Sequence, residues 1–149
     1  MAPWLVRLIL LPGLIVLLAG CGLRPADPDP EPVPVALEEG SPAAALLERA
    51  REARENEQWH AAGRYLERAL DLQPGSAVLY RELARLRLDQ DEPGAAEGLA
   101  LRALRQAPEA PPEWRAGVWE LIAEARFRQG REPEAREAFR RAEELEGQR

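Results

Sequence analysis

The 149-residue chain carries 20 basic and 26 acidic side chains, for a net charge of −6 at neutral pH, with one histidine and one cysteine. All the basic residues are arginine and threonine is absent. An acidic balance excludes a nucleic-acid binder, one histidine and one cysteine cannot build a zinc-type ligand cluster, and the few serines leave nucleophilic catalysis without its parts. No catalytic residue, metal site or cofactor is expected, and His60 reads as a solvated helix residue.

Residues 1–20 have the parts of a secretory signal: a positive charge at Arg7, an apolar stretch from Leu8 to Leu18 and small residues before a cut. The stretch is too short for a bilayer, which needs about 20 apolar residues. Leu18-Ala19-Gly20-Cys21 resembles the bacterial lipoprotein box. That resemblance implies cleavage before Cys21, a diacylglyceryl thioether on its sulfur and an acylated amino end, so Cys21 is the expected lipidation site. In the Gram-negative lipoproteins to which this is similar, aspartate at the next position favours inner-membrane retention. Gly22 stands there instead, which implies outer-membrane attachment facing the periplasm. Removing residues 1–20 leaves 19 basic and 26 acidic side chains, a net charge of −7.

Residues 21–42 form the lipidated end and a proline-rich linker, with prolines at 25, 28, 30, 32, 34 and 42. Proline lacks an amide donor and disfavours helix in the residue before it, so an extended tether is expected. At about 3.1 Å per residue it reaches roughly 60 Å. No core contribution is expected from it.

From residue 43 to 149 the composition turns to Ala, Leu, Glu and Arg at helical spacing. Ser41-Pro42 is an N-cap followed by proline at the first helical position, and Leu46, Leu47, Ala50 and Ala53 follow on one face. A second helix is predicted from about Trp59 to Leu72, ended by Pro74-Gly75. Further helices are predicted near Ala77–Leu88, Gly94–Gln106, Pro112–Gln129 and Pro133–Leu145, making three antiparallel pairs. Small residues recur at one point of each pair (Ala62, Ala96, Ala135) and again seven positions on (Ala69, Ala103, Ala142). The first two units are offset by 34 residues and the third by 39, with about Pro111–Arg115 inserted.

A 34-residue helix-turn-helix period is that of tetratricopeptide repeats. The fold class is therefore read as all-α, a solenoid of three such repeats at about 43–76, 77–110 and 116–149. Unit positions agree with that resemblance: Leu46, Tyr80 and Trp119 early in the first helix, Ala50, Ala84 and Ala123 where the family has glycine, and Leu66, Ala100 and Phe139 late in the second helix. The turn glycine is Gly130 in the third unit, but Glu57 and Asp91 in the others. In the last helix Ala135, Ala138, Phe139, Ala142 and Leu145 form one apolar stripe, expected to cap the stack.

In this family the first helices line a groove for partner segments. By resemblance the exposed groove positions are Leu47, Arg51 and Arg54; Arg81, Arg85 and Leu88; and Glu120, Glu124, Phe127 and Arg128. The groove would be basic at one end and acidic at the other. Its arginines either face a partner or pair with Glu48, Glu52, Glu55 and Glu82 at helical spacing; reversing Arg81 and Arg85 should alter stability by only tenths of a kcal/mol per pair. The carboxylate clamp of chaperone-binding relatives is not evident, since its positions hold Leu47, Arg51, Glu82, Gly117 and Leu121. Trp114, in the insertion, is either a core plug over the second unit or an exposed anchor.

Anchor, tether and small helical domain together resemble the LpoP-type outer-membrane lipoproteins, and Trp119 to Arg126 with the preceding insertion carries that likeness. The resemblance implies a non-catalytic periplasmic adaptor that binds and activates a class A penicillin-binding protein, a peptidoglycan synthase. A scaffold for secretin or pilus assembly, or for another envelope complex, is the alternative.

Overall fold

The computed structural model describes residues 36–147. The expected signal segment, Cys21 and most of the proline-rich linker lie outside them. Six α-helices occupy the described residues: α1 (Pro42–Glu55), α2 (Trp59–Leu72), α3 (Ala77–Asp89), α4 (Pro93–Gln106), α5 (Pro112–Arg128) and α6 (Glu132–Glu146). They pair as α1 with α2, α3 with α4 and α5 with α6, and successive pairs stack through α2 on α3 and α4 on α5.

Local chemistry sets the helix ends. The Ser41 side chain accepts a hydrogen bond from the Ala44 amide at 3.1 Å, while Pro42 fills the first helical position. The first helix of every pair ends in the same cap. The Glu57, Asp91 and Gly130 amides donate to Arg54, Leu88 and Phe127 carbonyls, and the next amides, of Gln58, Glu92 and Arg131, donate to Ala53, Arg87 and Arg126. This double closure is the Schellman motif, and it needs a left-handed residue at its centre. Glu57 and Asp91 hold φ of 58° and Gly130 holds 74°. The cap thus forms whether or not the turn residue is glycine, with the side chain bearing the steric cost in two units.

Alanine positions mark where helices touch. Ala62, Ala96 and Ala135, then Ala69, Ala103 and Ala142, then Ala50, Ala84 and Ala123 are all buried. Around them the largest fully buried side chains are Leu66, Leu79, Leu86, Val118 and Ile122. The inserted residues start α5 one turn early, so it runs 17 residues against 13 for α3. No helix of the described residues is long and apolar enough to cross a membrane.

Two expectations are corrected. Phe139 does not join the stripe of α6: Ala135, Ala138 and Ala142 are buried, but Phe139 is 46% exposed. Its counterpart in the second unit, Ala100, packs with Val118 and Ile122 of α5 in one apolar cluster, whereas no described helix covers the outer side of α6. The expectation that the linker adds nothing to the core is also corrected, because Leu37 is partly buried against the first apolar cluster.

The second and third units are joined by a buried acid. The Glu97 carboxylate accepts from Arg126 Nε at 2.7 Å, Arg131 at 2.7 Å and Gln129 at 3.1 Å. Burial raises the cost of its charge, but the hydrogen bonds from Arg126 and Gln129 and the charge of Arg131 outweigh it and hold its carboxyl below the usual range. Its contribution is therefore present above the unfolded carboxyl range, about pH 4.3, and is lost as pH falls through the lower folded value. Glu97→Gln should cost about 2 kcal/mol at pH 7. In urea unfolding, the gap between variant and wild type should narrow as pH falls below the unfolded carboxyl range of about 4.3; a gap constant with pH would assign the loss to packing.

Gly130 tests the cap. A Cβ there would meet no atom within 4 Å, so the cost of Gly130→Ala is conformational, about 1 kcal/mol. Thermal unfolding should fall by a few degrees, whereas Gly94→Ala, in a helix and equally unobstructed, should raise it.

Candidate partner-binding face

One face of the stack is built from α1, α3 and α5, which present the expected groove residues. At its start three guanidiniums converge on Oε1 of Glu82: Arg51 at 3.5 Å, Arg81 at 3.4 Å and Arg85 at 3.4 Å. Glu82 itself is 3% exposed. Arg51 also donates to Glu48 at 2.7 Å, and Arg54 to Asp89 at 3.2 Å. Of these, Arg51–Glu82 and Arg54–Asp89 tie α1 to α3. Further along, Arg128 donates to the Leu88 carbonyl at 2.6 Å and to Glu124 at 2.5 Å, which ties α3 to α5.

The arginines of the face are thus engaged within the fold. Of the partners anticipated from helical spacing, Glu48 and Glu82 are used and Asp89 is added, while Glu52 and Glu55 take no ion pair among the described residues. Arg81 is the most enclosed of them, lying over the Trp114 ring with its guanidinium carbon 5.2 Å from the ring centre. Burial pushes the guanidinium below its ordinary range; Glu82 opposes the shift and the charges of Arg85 and Arg51 add to it.

Leu47 and Leu88 were expected to be exposed and are not, at 5% and 4% exposure. Each stands where its helix turns from the face into the neighbouring helix: Leu47 packs with Leu37 and Val78, and Leu88 with Ala96, Ala125 and Leu121. Trp114 is partly buried. Its ring covers Ala77, Ala107 and Ala110, bridging the turn after α4 to α3, and its indole nitrogen is buried without a hydrogen-bond partner.

Two cavities open on the face. The first, about 470 Å³, lies over Leu47 and Val78, with Leu37 on one side and Arg51 and Arg81 on the other. The second, about 430 Å³, brings together Arg85, Glu120, Glu124 and Phe127, four of the expected groove residues, with Gly117, Leu121 and Phe139. Phe127 is 62% exposed. Arg54, Leu88 and Arg128 line neither cavity. Sequence reasoning missed Leu37, placed in the tether, and Phe139, placed in the core. The available signal for Phe139 was the absence of any predicted helix beyond α6 to cover it.

Because Arg81 is enclosed, reversing its charge acts on the fold before it acts on any partner. Arg81→Glu sets a carboxylate against buried Glu82 and should cost about 3 kcal/mol. Arg85→Glu, on a more exposed side chain, should cost about 1 kcal/mol or less. This replaces the expectation of small effects. Denaturant unfolding of the two single variants checks it; equal losses would show that Glu82 does not discriminate between them.

The tetratricopeptide repeat profile matches residues 53–118. Among solved structures, the globular C-terminal domain of P. aeruginosa LpoP aligns at 34% identity and a TM-score of 0.67, over 72% of this chain and 99% of that one. The N-terminal domain of stress-induced protein-1 from C. elegans aligns at 17% identity and a TM-score of 0.64, over 69% and 83% of the two chains, and shares the fold. No curated protein matches the chain. Three stacked helix pairs, a common cap and this degree of identity to a whole domain place the chain, with LpoP, in the family of LpoP-like tetratricopeptide-repeat proteins.

Proposed function

We propose that the chain is a non-catalytic adaptor, held by lipid at Cys21 to the outer membrane, which reaches into the periplasm to bind and activate a class A penicillin-binding protein. The observation that carries this reading is the alignment with LpoP over nearly all of that domain, and the lipoprotein box at residues 18–21 supports the anchor. On this reading the proline-rich residues 25–34 are the tether and the face of α1, α3 and α5 is the docking surface. Such an adaptor performs no bond chemistry. It raises synthase activity by binding the active conformation more tightly than the inactive one, since only differential affinity moves that equilibrium.

Two measurements test the reading. Cys21→Ser should leave the domain folded and release it from the outer-membrane fraction; retention at the wild-type level refutes the anchor. The purified chain should raise the glycan-polymerising rate of a class A synthase from the same organism. Each tenfold gain in rate corresponds to about 1.4 kcal/mol of differential binding. A synthase that neither binds nor responds, with a secretin recovered by crosslinking instead, would replace this reading with the assembly-scaffold one.

A further inference from the structure

The second cavity has properties that an adaptor in general does not require. Its floor is apolar, made by Leu121, Phe127 and Phe139, and the last two are the largest exposed hydrophobic side chains on the third unit. Gly117 opens it further, because a Cβ there would meet nothing within 4 Å. Isolated exposed apolar residues are ordinary, but two aromatic rings sharing one concavity mark a contact surface.

Charge on the rim narrows the occupant. Glu120 is exposed and has no ion pair among the described residues. Arg85 also lines the cavity; it shares a single carboxylate oxygen with two other guanidiniums at 3.4–3.5 Å and so retains donors for a further acceptor. With Glu124 paired to Arg128, the rim presents both signs, Glu120 and Arg85, which does not match an anionic lipid surface of one sign throughout. It matches a polypeptide segment.

We propose that this cavity is a socket for one apolar side chain of the protein partner, carried on a segment with a basic residue about one helical turn away on the Glu120 side and an acidic residue on the Arg85 side. The segment therefore binds in one direction only. The inference rests on the adaptor reading for the existence of a partner, but not on which envelope protein that partner is.

The test uses the full anchored chain in cells, with a photoreactive phenylalanine analogue at position 127 or 139 and, as control, at Leu72, which is exposed at the end of α2. Crosslinked peptides are sequenced. Adducts from one partner protein, formed at an apolar residue with arginine or lysine within about one turn (3.6 residues), support the socket. Adducts with a second copy of this chain, with lipid, or at the Leu72 level overturn it. Against the captured protein, purified, Phe127→Ser and Phe139→Ser should each weaken binding about tenfold. Glu120→Arg should slow association in a salt-dependent manner, with thermal unfolding unchanged in all three. Wild-type affinity in the phenylalanine variants overturns the socket even if the partner is a class A synthase. A captured protein of another kind, weakened by those variants, upholds the socket and refutes the synthase reading.

Discussion

Everything in this stack depends on how closely its helices can approach, and alanine sets that distance. At Ala62, Ala96 and Ala135 in the second helix of each pair, and at Ala50, Ala84 and Ala123 in the first, the side chain ends at Cβ and the partner helix can lie against it. Larger residues there would meet a wall that cannot move, because overpacking a close contact costs about 1–3 kcal/mol through strained rotamers and shifted backbone. Close approach in turn lets Leu66, Leu79, Leu86, Val118 and Ile122 interlock between pairs. Alanine contributes little apolar area of its own, so the driving force comes from those five, from Leu47, Val78, Leu83 and Leu88, and from tryptophan and tyrosine at the seams.

Arginine is the second constraint, and its planar fork explains why a chain without lysine folds this way. One guanidinium can serve an acid, a carbonyl and a ring together: Arg126 bonds both Glu97 and the Glu134 carbonyl, while Arg81 meets Glu82 and Trp114. Arg102 lies over Tyr80 at 4.4 Å and Arg141 over Trp119 at 4.7 Å. Each arginine–ring contact contributes on the order of 0.5–1 kcal/mol at exposed sites. Glu82 and Glu97 occupy corresponding roles, one at each junction between units, drawing cations from the unit before or after. The insertion at Pro111–Arg115 extends the scheme, since it delivers Trp114 to cover Arg81 and the turn after α4.

Helix positions were legible because they are written locally. Ser41-Pro42, Pro74-Gly75 and the 34-residue alanine register each report on a few neighbouring residues, and the structure places helix ends within a residue or two of those marks. The face was legible only in part. Leu47 and Leu88 lie on the boundary between the face and the next helix, and a helical period cannot tell which side of that boundary a residue takes. Cross-unit pairs such as Arg54–Asp89 and Arg131–Glu97 span more than 30 positions, so i,i+4 spacing carries no trace of them. Phe139 was misplaced for a different reason: repeat consensus assumes a following unit, and burial at that position is supplied by the neighbour, not by the residue itself.

Internal pairing changes what the face can offer a partner. Arg51, Arg54, Arg81 and Arg85 suggest a basic patch when counted along the sequence, yet Glu48, Glu82 and Asp89 sit among them and neutralise most of it at contact range. At physiological salt a field falls off over about 8 Å, so a nearly balanced cluster on an acidic chain exerts little pull on a distant acidic surface. Electrostatics then acts late, fixing direction once a segment is already in place, as complementary charges do in setting register. Initial capture then falls to apolar contact, as at the cavity of Phe127 and Phe139. On this face shape and apolar contact dominate over charge, and the arginines serve chiefly to hold that shape.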